Sequence, residues 1–65
     1  MKHYNKIAKK RKESKMTQAQ LAEKAKISVT QLQNIEYGNS APNVYLAKRI
    51  SQVLGTTVEE IFTTN

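Results

Sequence analysis

The polar residues between Ser28 and Asn34 have side chains that can read the edges of DNA bases. The stretch from Val29 to Asn34 reads VTQLQN and contains no basic residue, so it offers hydrogen bonds and methyl contacts rather than charge. The amides of Gln33 and Asn34 can pair with adenine N6 and N7, and the methyl groups of Val29 or Thr30 can pack on the thymine methyl. We therefore predict base contacts, with a preference for A·T pairs, from Ser28, Val29, Thr30, Gln33 and Asn34.

Two short helices must position these residues, and both have recognisable starts. Thr17 followed by Gln20, and Ser28 followed by Gln31, each fit a capping box. In this motif the hydroxyl accepts from a backbone N–H of the first turn, and the glutamine side chain accepts from the backbone N–H of the capping residue. Because the capping box accounts for Gln31, no base contact is assigned to it. Gly38 is placed to end the second helix. Because the apolar residues must converge on one core, the second helix is expected to cross the first steeply; an ordinary helical hairpin is the alternative. Those apolar residues are Leu21, Ala22 and Ala25 in the first helix, Ile27 in the turn, and Leu32 and Ile35 in the second.

The rest of the chain predicts three more helices and almost no linker, so the expected fold class is all-α. A lysine-rich first helix is expected from His3 to about Ser14. Asn43 can cap a fourth helix that Gly55 ends, and Thr57 with Glu60 forms a third capping box before the fifth. The residues expected to face the core in the fourth helix are Leu46, Ile50, Val53 and Leu54, and the apolar residues of the fifth are Val58, Ile61 and Phe62.

The segment from Thr17 to Gly38 resembles the helix-turn-helix of the lambdoid phage repressor and Cro family, the Xre-like transcriptional regulators. The likeness extends from about Ile7 to Phe62. It implies a compact five-helix, lambda-repressor-like DNA-binding domain over residues 1–65, with the helix-turn-helix at about 17–38 and helix three in the major groove. The matching residues are Gln18, Leu21, Ala22, Ile27, Leu32, Ile35, Glu36, Gly38, Ala41, Pro42 and Asn43.

One turn position departs from the family pattern. The family favours glycine where this chain has Lys26. A left-handed lysine there carries strain of about 1 to 2 kcal/mol. We therefore expect Lys26→Gly to raise stability.

The resemblance also implies roles for residues outside helix three. Arg11 is expected to pair with Glu36 and to lie near a phosphate, although two unrelated surface charges are the alternative. Gln18, at the start of helix two, suits a phosphate oxygen and is expected to brace a residue of the recognition helix. The predicted phosphate contacts are Gln18, Arg11, Lys10, Tyr37, Asn39 and Ser40; turn chemistry alone is the alternative for Ser40.

Composition and charge agree with a nucleic-acid partner. The net charge is +6, and seven of the eleven basic residues precede the helix-turn-helix. Each phosphate that the protein neutralises makes the slope of log affinity against log salt concentration steeper by about 0.9. There is no cysteine, the only histidine is His3, and neither a metal spacing nor a phosphate loop is present. We therefore expect no enzyme activity, cofactor or metal, and, without a membrane-spanning apolar run, a cytoplasmic protein.

The expected function is sequence-specific binding of double-stranded DNA. One inserted helix reads few base pairs, so a homodimer on a palindromic operator is expected, with repression as the default. The surface left for dimerisation is Val58 to Asn65, with Tyr45 or Arg49 nearby. RNA polymerase or an antirepressor are further candidate partners.

Two other functions remain open. One is a protein-interaction module, such as an antitoxin or anti-repressor adaptor, for which exposed Tyr45 and Phe62 would be the sign. The other is RNA binding through the basic first helix and Tyr4, although the chain has few aromatic residues for base stacking.

Overall fold

A computed structural model describes residues 5–62 and contains five helices in that range. They are α1 (Ile7–Glu13), α2 (Gln18–Ala25), α3 (Val29–Glu36), α4 (Val44–Val53) and α5 (Val58–Ile61). Since residues 5–62 form no strand, the predicted all-α class is confirmed. None of these helices has the length and apolar character needed to cross a bilayer.

All five helices contribute to one apolar core. The largest fully buried side chains are Ile7, Leu21, Leu32, Ile35, Ile50 and Ile61. Burying each such side chain contributes about 1.5 to 3 kcal/mol. The predicted core positions are therefore confirmed, with Ile27, Val53 and Leu54 packed at the margin, half-buried. Phe62 packs there as well, so it is not the exposed apolar residue expected of a protein-interaction module.

The helix starts confirm one capping box completely and two in part. The Thr17 hydroxyl accepts from the backbone N–H of Gln20 at 3.1 Å, and the Gln20 amide oxygen accepts from the backbone N–H of Thr17 at 2.8 Å. At Ser28 and Thr57 only the hydroxyl half is present. The reciprocal hydrogen bonds expected from Gln31 and Glu60 to the backbone N–H groups of Ser28 and Thr57 are wrong, because the Glu60 carboxylate accepts from the Thr56 hydroxyl and the Gln31 side chain is exposed to solvent.

The first helix begins later than the sequence pattern predicts. It starts at Ile7 rather than His3, which lies outside the described residues. The Asn5 side-chain oxygen accepts from the backbone N–H of Ile7 at 3.0 Å, and its Nδ2 donates to the carbonyl of Ile35 at 2.8 Å. The backbone N–H of Lys6 donates to the carbonyl of Ile61 at 2.8 Å. These contacts hold the chain just before α1 against the end of α3 and against α5.

Four helices end in the same left-handed turn. The residue in this conformation is Lys15 after α1 (φ 58°), Lys26 after α2 (φ 60°), Gly38 after α3 (φ 79°) and Gly55 after α4 (φ 68°). In each case the next residue donates its N–H five residues back, as in a Schellman motif. The left-handed conformation predicted for Lys26 is confirmed, and Lys15 is a second case that the sequence analysis missed.

Candidate nucleic-acid interface

Helix α3 has one side in the core and the other in solvent. It follows α2 after the three residues 26–28 and buries Leu32 and Ile35. On the outer side Ser28, Val29, Thr30 and Asn34 are exposed, and Gln33 is half-buried. All five residues predicted to contact bases therefore lie at the surface. Because no nucleic acid is present, the contacts themselves stay predictions.

The half-buried Gln33 is held by Gln18. Its Nε2 donates to the Gln18 side-chain oxygen at 3.1 Å, which joins the first residue of α2 to the middle of α3. Gln18 in turn donates from its own Nε2 to Oε1 of Glu36 at 3.0 Å. The brace that the family resemblance implied for Gln18 is thus present, and its partner on α3 is Gln33.

Glu36 is also the partner of Arg11, as predicted. Nε of Arg11 donates to Oε2 of Glu36 at 2.8 Å, and Nη2 donates to Oε1 at 3.3 Å. The side chains are only 10% and 2% exposed, respectively. A third donor, Nη1, reaches the carbonyl of Met16 at 2.9 Å. Breaking such a buried pair from one side leaves an unpaired charge, so the pair locks the end of α3 onto α1.

The residues predicted to contact phosphates differ in how accessible they are. Tyr37 is 57% exposed. Asn39 and Ser40 are exposed in the connection between α3 and α4. Lys10 and Gln18 are half-buried, and Lys10 forms an ion pair with Glu13 at 3.9 Å. Arg11 is buried and uses its guanidinium within the protein. Their phosphate contacts stay predictions.

Positive charge lies beside α3 rather than on it. Lys6, Lys9 and Lys12 are exposed along α1, whereas α3 carries no basic residue in its last turn. Within residues 5–62, no group of histidine, cysteine or acidic residues is placed to hold a metal ion. The region thus combines a hydrogen-bonding helix, whose one charged residue is the Glu36 paired with Arg11, with basic residues on α1, an arrangement suited to base edges and phosphates.

Sequence reasoning missed two contributors to this region. Asn5 supports the last turn of α3 through the Ile35 carbonyl, and Met16 supplies the carbonyl that accepts from Arg11. The only available signal for Asn5 was its residue type, which favours a helix start. No side-chain signal exists for Met16, because its contribution is a backbone atom.

Comparison with a protein-family model shows the family to which the chain belongs. The helix-turn-helix family model matches residues 7–61. The chain belongs to this helix-turn-helix family of DNA-binding transcriptional regulators. The resemblance to Xre-like regulators is thereby confirmed. A sequence search of curated proteins found no match.

Solved structures of regulators have the same fold. The clp gene regulator ClgR from Corynebacterium glutamicum matches with a TM-score of 0.77 and 25% identity, over 80% of this chain and 55% of that chain. The SinR protein/SinI protein complex matches with a TM-score of 0.78 and 31% identity, over 83% of this chain and 53% of that chain. SinR, described as the master regulator for biofilm formation, matches in complex with DNA with a TM-score of 0.77 and 31% identity, over 83% of this chain and 87% of that chain. The chain thus spans about half of the first two matched chains.

Proposed function

We propose that this protein is a repressor that binds a palindromic operator as a homodimer, with α3 of each copy in the major groove. The observation that carries the proposal is the outer side of α3, where the exposed Thr30 and Asn34 flank a Gln33 amide held in place by Gln18. An amide fixed before binding loses less entropy when it pairs with a base than a freely rotating one.

The reading of bases follows from the residues on that side. Gln33 and Asn34 can each pair with adenine, and Val29, which is 38% exposed, can pack on a thymine methyl. Ser28 and Thr30 add hydroxyls that hydrogen-bond to several bases. We therefore propose half-sites with A·T pairs under Val29, Gln33 and Asn34.

Phosphate contacts on both sides of α3 would set its register. Gln18 lies at the N-terminus of α2, where backbone N–H groups favour an anion. Tyr37, Asn39 and Ser40 offer exposed donors beyond the other end of α3. We propose Lys10 and Arg11 as cationic neighbours on α1, with Arg11 acting through the two N–H donors that its internal bonds leave free.

Two copies are needed because one is too small. The part of the chain that the structure describes extends 27 Å along its longest axis. Successive major grooves on one side of B-form DNA are about 34 Å apart. We propose that the segment from Val58 to Asn65, whose residues 63–65 lie outside the described part of the chain, forms the dimer contact with Tyr45 or Arg49 nearby. The cytoplasm, where chromosomal or phage DNA is accessible, is the proposed location.

Selection from a randomised duplex library with the purified chain tests the proposal. The expected product is a two-fold symmetric motif with A·T pairs in each half, bound at two copies per duplex. Gln33→Ala is expected to weaken binding to that motif at least tenfold. Gln52→Ala, which removes an exposed amide from α4, is the matched control and should leave binding unchanged. Failure to bind any duplex at low ionic strength would reject the proposal.

A second candidate function, the protein-interaction module, is favoured by one observation. Val44 is 67% and Tyr45 is 81% exposed at the start of α4. Adjacent exposed apolar side chains are typical of a protein contact. If this function is the main one, Tyr45→Ser should abolish the protein's effect on transcription in cells while leaving duplex binding unchanged.

A further inference from the structure

The hydrogen bonds that connect Arg11 to Gln33 have a single possible direction. Glu36, as the carboxylate of an ion pair, can only accept hydrogen bonds. Gln18 must therefore turn its Nε2 toward Glu36, which it contacts at 3.0 Å. This turns the oxygen of Gln18 toward Gln33, so Gln33 must present its own Nε2, at 3.1 Å.

The direction of these hydrogen bonds determines which donor and acceptor groups of Gln33 remain free to contact a base. One Nε2 hydrogen is used on Gln18, which leaves one N–H donor and the oxygen acceptor of Gln33. Adenine presents one acceptor, N7, and one donor, N6–H, in the major groove, whereas guanine presents two acceptors, N7 and O6. The remaining pair of groups on Gln33 matches adenine and not guanine.

We propose that Glu36, which touches no base, is the positioning residue that makes Gln33 select adenine over guanine. Its negative charge, held in place by Arg11, sets the orientation of the Gln18 amide and through it the orientation of the Gln33 amide. This inference rests on the proposed function, because it assumes that Gln33 lies against a base.

Replacing the carboxylate by an amide should reverse the direction. In Glu36→Gln, the new oxygen keeps the shorter contact with Arg11, from Nε at 2.8 Å, and the longer contact from Nη2, at 3.3 Å, is given up. The new NH₂ group then faces Gln18, which must turn its oxygen toward position 36 and its NH₂ toward Gln33. Gln33 must then accept from Gln18, which leaves both of its N–H donors free, a set that fits the two acceptors of guanine.

Duplex selection with the full 65-residue chain tests this directly. The unmodified chain should select adenine at the position of each half-site that Gln33 contacts, which is the position whose preference is lost in Gln33→Ala. Glu36→Gln should shift the adenine-to-guanine ratio at that position by about tenfold or more and leave the other positions unchanged. Glu23→Gln removes the same charge from the exposed side of α2 and should leave every position unchanged.

A second variant removes the connection without disturbing the buried ion pair. Gln18→Leu keeps Arg11 and Glu36 together but frees the Gln33 amide to turn either way. It should bring adenine and guanine close to equal preference at that position, without inversion. If a thermal melt shows that Glu36→Gln does not fold, Gln18→Leu tests by itself whether Gln18 orients the Gln33 amide.

The outcomes separate the inference from the function on which it rests. If the unmodified chain selects no duplex, the proposed function fails and the inference fails with it. If it selects duplexes but adenine is retained by folded Glu36→Gln, or by Gln18→Leu, the inference alone is overturned. In the free protein, slow exchange of one Gln33 amide proton, lost in Gln18→Leu, would support the hydrogen bond without DNA.

Discussion

The part of the chain that carries the site and the part that follows it are stabilised differently. In residues 5–36, side chains of α1, α2 and α3 are joined by a part-buried series of polar contacts from Arg11 through Glu36 and Gln18 to Gln33. In residues 37–62, the hydrogen bonds of the Asn43, Ser51 and Thr57 side chains reach only three or four residues along the chain. Arg49 reaches further, since its Nη1 donates to the carbonyl of Ala25 at 3.1 Å, but it makes a single contact with the end of α2 and not a connected series. Unusual, costly features thus concentrate where α3 is positioned, which is typical of functional sites.

The helix ends show the same difference. The left-handed residues of the first part are Lys15 and Lys26, whereas those of the second are Gly38 and Gly55. A left-handed residue with a Cβ costs about 1 to 2 kcal/mol, which glycine avoids. The site-bearing part therefore retains strain that the second part does not have.

The largest expected effect comes from breaking the buried ion pair. Arg11→Ala or Glu36→Ala should each lower the free energy of unfolding by on the order of 3 kcal/mol, because each leaves a buried charge unpaired. The double variant should lose much less than the sum of the two. A double-mutant cycle from denaturant unfolding measures this, and simple additivity would contradict a coupled pair.

A substitution in the second part measures the strain itself. At Gly55 (φ 68°) an added Cβ would have no heavy atom within 4 Å, so steric contact plays no role. Gly55→Ala should lower the free energy of unfolding by about 1 kcal/mol through backbone strain. A chemical denaturation curve showing no loss would contradict the assumed cost of a left-handed residue.

Removing the strain from the first part should have the opposite sign. Lys26→Gly, and separately Lys15→Gly, should raise the free energy of unfolding by up to about 1 kcal/mol, since the relief of strain exceeds the added entropy of the unfolded chain. Lys24→Gly, inside α2, is the matched control and should lower it by about 1 kcal/mol. If the variants at positions 15 and 26 melt below the unmodified protein, the two ends are not strained as proposed.

The smallest effect concerns charge. Lys10→Gln should reduce the salt dependence of duplex binding by about 0.9 in the slope of log affinity against log salt, as expected for one lost phosphate contact. Lys48→Gln, on the exposed side of α4, should leave the slope unchanged. Equal slopes for both variants would remove Lys10 from the proposed interface.

Local patterns were sufficient to predict most of the fold. The starts of α2, α3, α4 and α5 follow Thr17, Ser28, Asn43 and Thr57, because each cap bonds a backbone N–H three residues away. The start of α1 could not be predicted in this way. Asn5 accepts from the N–H of Ile7, but it is held in place by its bond to the carbonyl of Ile35, thirty residues along the chain.

In the candidate site, too, local features could be predicted from patterns in the sequence and contacts between distant residues could not. Helical periodicity was enough to predict which residues of α3 face outward, since it places Thr30 and Gln33 opposite Leu32 and Ile35. The pairing of Arg11 with Glu36 came from family resemblance. The resemblance also implied a brace from Gln18, but its partner Gln33 and its link to Glu36 came from the folded structure, because donors and acceptors of three helices can be matched only when packing has brought them within hydrogen-bonding distance.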